Sequence, residues 1–249
     1  GHPILDATRA FLAERHQLLI GGQWSDGSDG ETLETRDPAT GLRLTDFAIG
    51  TAADANRAVA AARAAFNGSW SRFRPRERAA ALRRLAGLME AHADLLTQLE
   101  IIDNGMPFGI ASLTVSNCIE MLDYYAGLAT QIEGTTTTPP GWVTDQAEAL
   151  TYTVKEPVGV AVQIIPWNVP LSMAILKLAP ALAAGCTVVV KPSEETPLTA
   201  TLLGAAMNKV GVPKGVYNVV HGLGPDSAGA YPTQHPLVNG ITFTGETRT

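Results

Sequence analysis

Cysteine is scarce: the 249 residues hold two, Cys118 and Cys186. Two thiols cannot build a disulfide framework, and no cysteine or histidine cluster has metal-ligand spacing. No metal is expected, and a reducing, cytoplasmic location fits best. Long apolar runs are also missing. The longest candidate, Ala179–Val190, is interrupted by Gly185 and Thr187, far short of the roughly 18 residues a membrane span needs. The amino-terminal stretch carries Asp6 and Arg9 where a secretory leader would be apolar, so no leader is expected. There is no excess of basic charge: 18 Lys and Arg face 24 Asp and Glu, a formal charge of −6. Twelve of the 13 arginines precede residue 85 and alternate with Ala and Glu, which describes solvated helix faces. Neither nucleic acid nor membrane is an expected partner. What remains, 45% hydrophobic and 17% charged residues, is ordinary globular composition.

The chain divides into three zones. In residues 17–50, Gly21-Gly22, Asp26-Gly27, Asp29-Gly30 and Gly41 punctuate the short runs Leu18–Ile20, Leu33–Arg36 and Leu42–Phe47, a strand-and-turn pattern. Helices follow. Thr51 suits an N-cap for a helix to about Phe66, with Ala55, Val59, Ala62 and Phe66 on one stripe. Pro75 opens a long helix expected to reach about Ile102, closed by Gly105. A third helix is expected from about Pro107 to Gln131. Residues 132–156 change character: the Thr135–Gly141 run resists helix, and Ala149–Lys155 alternates as a strand, so an extended arm is expected.

From Val158 onward the pattern is βαβαβαβ. Short apolar runs at Val158–Ile165, Thr187–Val190, Val216–Val220 and Ile241–Phe243 are separated by helical stretches at Pro170–Ala184, Pro197–Val210 and Ser227–Gln234. Apolar strands alternating with helices predict an α/β fold whose parallel sheet has helices on both faces. The sequence stops at Thr249, just after a strand; a sheet of this kind needs one more covering helix, so an incomplete chain is expected.

In open parallel sheets, ligands bind at the carboxyl ends of the strands. After the first strand, Pro166 and Pro170 hold Trp167 and Asn168 at a strand-to-helix turn. The Asn168 amide either donates to a developing oxyanion or caps the helix, and Trp167 either meets a ligand or packs. After the second, Lys191 and Glu194 suit the hydroxyls of an adenosine ribose, or else a solvated strand end. After the third, Gly222–Gly229 forms a glycine-rich turn that either cradles phosphate or is simply tight. Cys186 enters an apolar strand with no nearby histidine or lysine, and Cys118 lies mid-helix; neither reads as a nucleophile.

Three segments, "IIPWNVPLSMAILKLAPALAAGCTVVVKPSEETPLTA", "GVPKGVYNVVHGLGPDSAG" and "HPLVNGITFTGET", together with the upstream "NGMP" and "DYYAG", resemble the NAD(P)-dependent aldehyde dehydrogenase superfamily. The resemblance covers residues 17–249 in order, about the first half of such an enzyme, and "HGLGPDSAG" and "FTGETRT" look like the hydroxymuconic-semialdehyde dehydrogenase branch. It implies a Rossmann-like dinucleotide-binding domain, discontinuous over 1–131 and 156–249, an oligomerisation arm over 132–155 that builds a homodimer or homotetramer, and no catalytic domain in these residues. It implies oxidation of an aldehyde to a carboxylic acid through a cysteine thioester. Asn168 would be the oxyanion donor and Lys177 a lysine near the catalytic centre. Ile165, Pro166, Trp167, Lys191, Ser193, Glu194, Gly224, Thr244, Gly245 and Glu246 would meet the cofactor. NAD is implied over NADP because Glu194 would repel a 2′-phosphate. Asn117, Val169 and Leu176 would line a tunnel for a mostly apolar aldehyde, since Met106–Glu120 holds no arginine for a carboxylate substrate.

The family's Glu-Leu-Gly-Gly base motif and Gly-Gln-x-Cys nucleophile motif do not occur here. The glycine turn is one residue longer than in many members, and Glu246 stands where serine is common. A truncated homologue acting as a cofactor-binding or oligomer-interacting module is the alternative. An acylating dehydrogenase or a reductase of acyl phosphates is a more distant one.

Overall fold

The fold is taken from a computed structural model, which describes residues 4–139, 141–144, 149–225 and 227–246. Asp226 of the glycine turn, Pro140 and residues 145–148 of the arm, and the final Thr247–Thr249 lie outside the described residues.

In chain order the elements are α1 (Asp6–Ala13), β1 (Leu18–Ile20), β2 (Gln23–Ser25), β3 (Thr32–Arg36), β4 (Arg43–Ala48), α2 (Ala52–Asn67), α3 (Pro75–Ala91), α4 (Ala93–Asn104), α5 (Phe108–Leu128), β5 (Thr136–Thr137), α6 (Gly141–Thr144), β6 (Thr151–Tyr152), β7 (Val160–Ile164), α7 (Pro170–Ala184), β8 (Thr187–Lys191), α8 (Leu198–Met207), β9 (Tyr217–Val219), α9 (Ala230–Thr233) and β10 (Gly240–Phe243). A single 3₁₀ turn, Trp70–Arg72, links α2 to α3.

The main sheet runs β10-β7-β8-β9-β1-β2. Four consecutive strands, β10, β7, β8 and β9, are parallel, as the βαβ pattern predicts. The alternation of β8 explains why both faces need cover. Val188 and Val190 join the core beneath α3, α5, α7 and α8, while Val189 joins the opposite core with Ala58, Val59 and Ala62 of α2. The edge was not foreseen: β1 and β2 form an antiparallel hairpin that extends the sheet through a Leu19–Val219 pairing. Gly21 and Gly22, both at positive φ, form its two-residue turn. The Asn218 side chain accepts from the Gly21 N–H at 2.9 Å and so pins that turn to β9.

Four elements differ from expectation. α1 precedes residue 17, where the strand-and-turn pattern of the sequence begins. The helix expected over Pro75–Ile102 breaks at His92 (φ −121°, ψ 25°), which ends α3 and starts α4. The break lets Leu82, Leu85 and Met89 face the main core while Leu99 packs with Phe11 and Leu198. The strand expected over Ala149–Lys155 shortens to Thr151–Tyr152, which pairs with Thr136–Thr137. The helix expected over Ser227–Gln234 shrinks to four residues, with Gly229 at its N-cap and Pro232 within its single turn.

Thr51 caps α2 as predicted. The fully buried Asp54 carboxylate accepts from the Thr51 and Ser28 N–H groups at 2.8 and 2.9 Å, from both hydroxyls, and from Arg57. Burial opposes its charge, yet these donors hold its pKa below the usual carboxylate range. A depressed folded pKa gives stability that is present above the unfolded value and lost as pH falls. Asp54→Ala is therefore expected to cost about 2–4 kcal/mol at pH 7, measured by urea unfolding. The difference from the parent should shrink toward pH 3.

Candidate functional site

From β7 the chain steps through α7 and α8 to β8 and β9, then returns past β7 to β10. The order reverses between β7 and β10, and a crevice opens at the carboxyl ends of the strands beside such a reversal. A cleft of about 380 Å³ lies there, lined by Ile164, Lys191, Gly224, Pro225, Gly229 and Phe243 among others. The last residues of β7, β8 and β10 (Ile164, Lys191 and Phe243) line it, together with the glycine turn after β9.

The loop after β7 presents Trp167 and Asn168 to solvent, with Pro166 half-buried. Asn168 does not cap α7: Val169 occupies the N-cap, and no side chain of its own caps the helix. The Asn168 amide is thus left free among the described residues. Trp167 does not pack inward either; it is 59% exposed. Ile165 points into the main core at 2% exposure, and its neighbour Ile164 lines the cleft instead.

The loop after β8 carries the charged pair. Lys191 is buried, and its Nζ donates to Glu194 Oε2 at 2.8 Å. The Glu194 side chain stays one-third exposed, leaving carboxylate lone pairs for a ligand. Ser193 spends its hydroxyl locally, accepting from the Glu195 N–H at 3.3 Å.

The glycine turn after β9 brings Gly224 to the cleft. The Gly229 and Ala230 N–H groups donate back to the Leu223 and Gly224 carbonyls at 3.0 Å. Added methyl groups would meet Ala228 Cβ at 2.8 Å from Gly222, and Gly224 itself at 2.8 Å from Gly229. The glycines therefore serve the tightness of the turn.

After β10, Thr244 is half-buried, and Gly245 and Glu246 are exposed. Lys177 connects this end to α7. Its buried ammonium donates to Thr242 Oγ1 and Thr244 Oγ1, each at 2.8 Å, and burial lowers its pKa. Asn117 and Leu176 stand exposed on the packed pair α5 and α7, and Val169 is half-buried at the start of α7. Cys118 and Cys186 are both buried. Burial, then the charge of Glu100, pushes the Cys118 thiol up to about 12, which leaves it unreactive. Among the described residues no cluster of three His, Cys, Asp or Glu side chains could hold a metal, and no helix is long and apolar enough to cross a membrane.

Sequence reasoning missed the support beneath these loops. Glu100 and Asp103 of α4 are buried. Burial raises Glu100 to about 7, against donation from Leu171 N–H, and raises Asp103 to about 8, against donation from Leu198 N–H and Thr35. Both looked like ordinary acids near a helix end, and only their i, i+3 spacing could have drawn attention. The folded state binds the Glu100 proton more tightly than the unfolded chain. Its stability is thus greatest below about pH 4 and declines as pH rises toward 7. Glu100→Gln keeps the acceptor and removes the titration. Relative to the parent, this variant is expected to melt higher at pH 8 than at pH 4.5, as followed by calorimetry.

Residues 24–249 match the model of the aldehyde dehydrogenase family. The chain is 45% identical over 236 residues to 2-hydroxymuconic semialdehyde dehydrogenase of Pseudomonas sp. (strain CF600), covering 93% of this chain and 47% of that protein. It is 44% identical over 234 residues to phenylacetaldehyde dehydrogenase of Pseudomonas fluorescens, covering 93% and 46%. The structure of a Bacillus cereus aldehyde dehydrogenase in complex with NAD+ superposes with a TM-score of 0.93 at 40% identity, covering 99% of this chain and 49% of that one. The chain spans about half the length of the curated relatives it matches. With these matches and the shared sheet, the chain belongs to the aldehyde dehydrogenase family.

Proposed function

We propose that these residues form the NAD-binding portion of an enzyme that oxidises small, mostly apolar aldehydes to carboxylic acids, with the nucleophilic thiol and general base supplied by residues outside the 249. The observation that carries this reading is the Lys191–Glu194 pair, buried on the lysine side and open on the glutamate side, whose lysine lines the cleft beside the strand-order reversal. A carboxylate there suits the vicinal hydroxyls of an adenosine ribose.

NAD, when bound, supplies the hydride acceptor. The chain's own residues bind and orient. Glu194 accepts from the ribose hydroxyls, and Lys191 fixes that carboxylate while offering a donor of its own. Ile164, Pro166, Trp167, Ser193 and Gly224 border the cofactor, with the backbone of Ile165 behind them. Thr244, Gly245 and Glu246 close the side nearest β10. Lys177 holds Thr244 by hydrogen bond and so keeps that edge rigid. Asn168 donates its free amide to the oxygen that gains charge when a thiol attacks the aldehyde. Asn117, Val169 and Leu176 border the aldehyde's path between α5 and α7.

Residues 1–131 and 156–249 make one discontinuous dinucleotide-binding domain in this reading. Residues 132–155 form an arm that pairs subunits into a homodimer or homotetramer. Exposed apolar side chains along the arm support this: Leu150, Tyr152 and Val154 are 64–74% accessible. Two unpaired cysteines suit a reducing cytoplasm.

Asn168→Ala is expected to lower the rate of aldehyde oxidation by about 10²–10³-fold while NAD affinity, followed by fluorescence quenching, stays unchanged. Unaltered turnover would remove Asn168 from the mechanism. Glu194→Ser should improve use of NADP relative to NAD by about tenfold or more, because a like-charge contact with the 2′-phosphate is relieved. An unchanged cofactor ratio in steady-state assays would separate Glu194 from the ribose.

A further inference from the structure

The two helices that start at the cofactor cleft cannot cap themselves. α7 begins with Val169 at the N-cap and Pro170 at its first position. Valine has no acceptor, and proline has no N–H. The first donor in need of a partner is the buried Leu171 N–H. α8 begins after Pro197, which also lacks a capping side chain, and leaves the buried Leu198 N–H in the same state.

A single face of α4 supplies what both lack. Glu100 Oε1 accepts from Leu171 N–H at 3.3 Å, and Asp103 Oδ2 accepts from Leu198 N–H at 3.0 Å. Asp103 Oδ1 takes the Thr35 hydroxyl at 3.0 Å. One residue further, Asn104 Nδ2 donates to the Trp167 carbonyl at 2.6 Å. That carbonyl also accepts from Thr196 Oγ1, at 3.4 Å. Glu100, Asp103 and Asn104 stand at i, i+3 and i+4, on one helix face. Gly105 ends the helix immediately afterwards at φ 80°.

We propose that this last turn of α4 is a clasp that sets the separation of the two cofactor loops, and that Asn104 is a positioning residue for Asn168. The inference rests on the reading of Asn168 as oxyanion donor. The Trp167 carbonyl belongs to the peptide that joins Trp167 to Asn168. Holding its oxygen fixes the plane of that peptide, and hence the direction in which the Asn168 side chain leaves the backbone. Thr196, reaching the same oxygen from the loop after β8, ties the direction to the position of Lys191 and Glu194. Asn104 is only half-buried and lies outside the hydrophobic core clusters, so its removal leaves no core cavity. Its effect should fall on geometry rather than on folding.

The test uses the assembled enzyme and single-turnover formation of NADH from aldehyde. Asn104→Ala is expected to slow hydride transfer about 10- to 100-fold, the penalty of an ångström-scale misplacement. NAD affinity and melting temperature should stay at parental values. Asn104→Asp keeps the volume and removes the donor, so it should slow the step alike and serves if the alanine variant fails to fold. The double variant with Asn168→Ala should be no slower than Asn168→Ala alone, since Asn104 acts through that amide. If Asn168→Ala slows the step and the Asn104 variants do not, or if the two losses multiply, the clasp is overturned. If Asn168→Ala itself leaves the rate unchanged, the oxyanion reading fails first.

Discussion

The position of β7 between two parallel neighbours governs the rest of the molecule. Because the chain leaves β7 in one direction and returns on the other side, β8 and β10 flank it with their carboxyl ends level. Ile164, Lys191 and Phe243 at those ends line one cleft together with the glycine turn after β9, and the loops after β7, β8 and β10 start from its rim. Their sequences then specialise them. Prolines stiffen the first, a buried ammonium and a half-open carboxylate mark the second, and glycines tighten the third. The fourth is held by Lys177 from below.

Buried polar groups do the precise work in this apolar scaffold. Gln163 reaches the Lys177 carbonyl at 2.9 Å from within the sheet. Asn218 locks the edge hairpin while donating to the Val188 and Gly215 carbonyls. Glu100 and Asp103 take the first helix donors of α7 and α8. Each such group is costly to bury and costly to leave unpaired, so each fixes one relative placement that apolar packing alone would leave adjustable. The hydrophobic faces decide which elements stack. The polar contacts decide how the loops at the strand ends stand relative to one another.

The sequence carried the architecture because its signals are local. The short apolar run Thr187–Val190, proline at position 170 and glycine at 185 define β8 and the full extent of α7 without any tertiary knowledge. The same holds for Thr51 and α2. What was hidden depends on partners distant in sequence. The break at His92 follows from two stripes facing different neighbours, not from a glycine or proline. The edge hairpin needs β9 to pair with. Ile164 and Ile165 could not be told apart until the register fixed which one faces the cleft. At the site, the residue types after each strand were legible, whereas their state was not. Asn168 turned out to be free of capping, and two N–H groups at the end of the glycine turn, those of Gly229 and Ala230, proved to be already spent. The α4 clasp joins residues 100–104 to 167–171 and 198, a juxtaposition that only the folded chain creates.

The central claim is that the cleft beside β7 and β10 receives the cofactor with its adenosine ribose on Lys191 and Glu194. The most direct measurement is a crystal structure of the assembled enzyme grown with NAD. The account predicts ribose hydroxyls within hydrogen-bond distance of the Glu194 carboxylate and Lys191 Nζ, with the nicotinamide end toward Thr244 and Asn168. A dinucleotide bound elsewhere, or one that leaves the Lys191–Glu194 pair untouched, would contradict it.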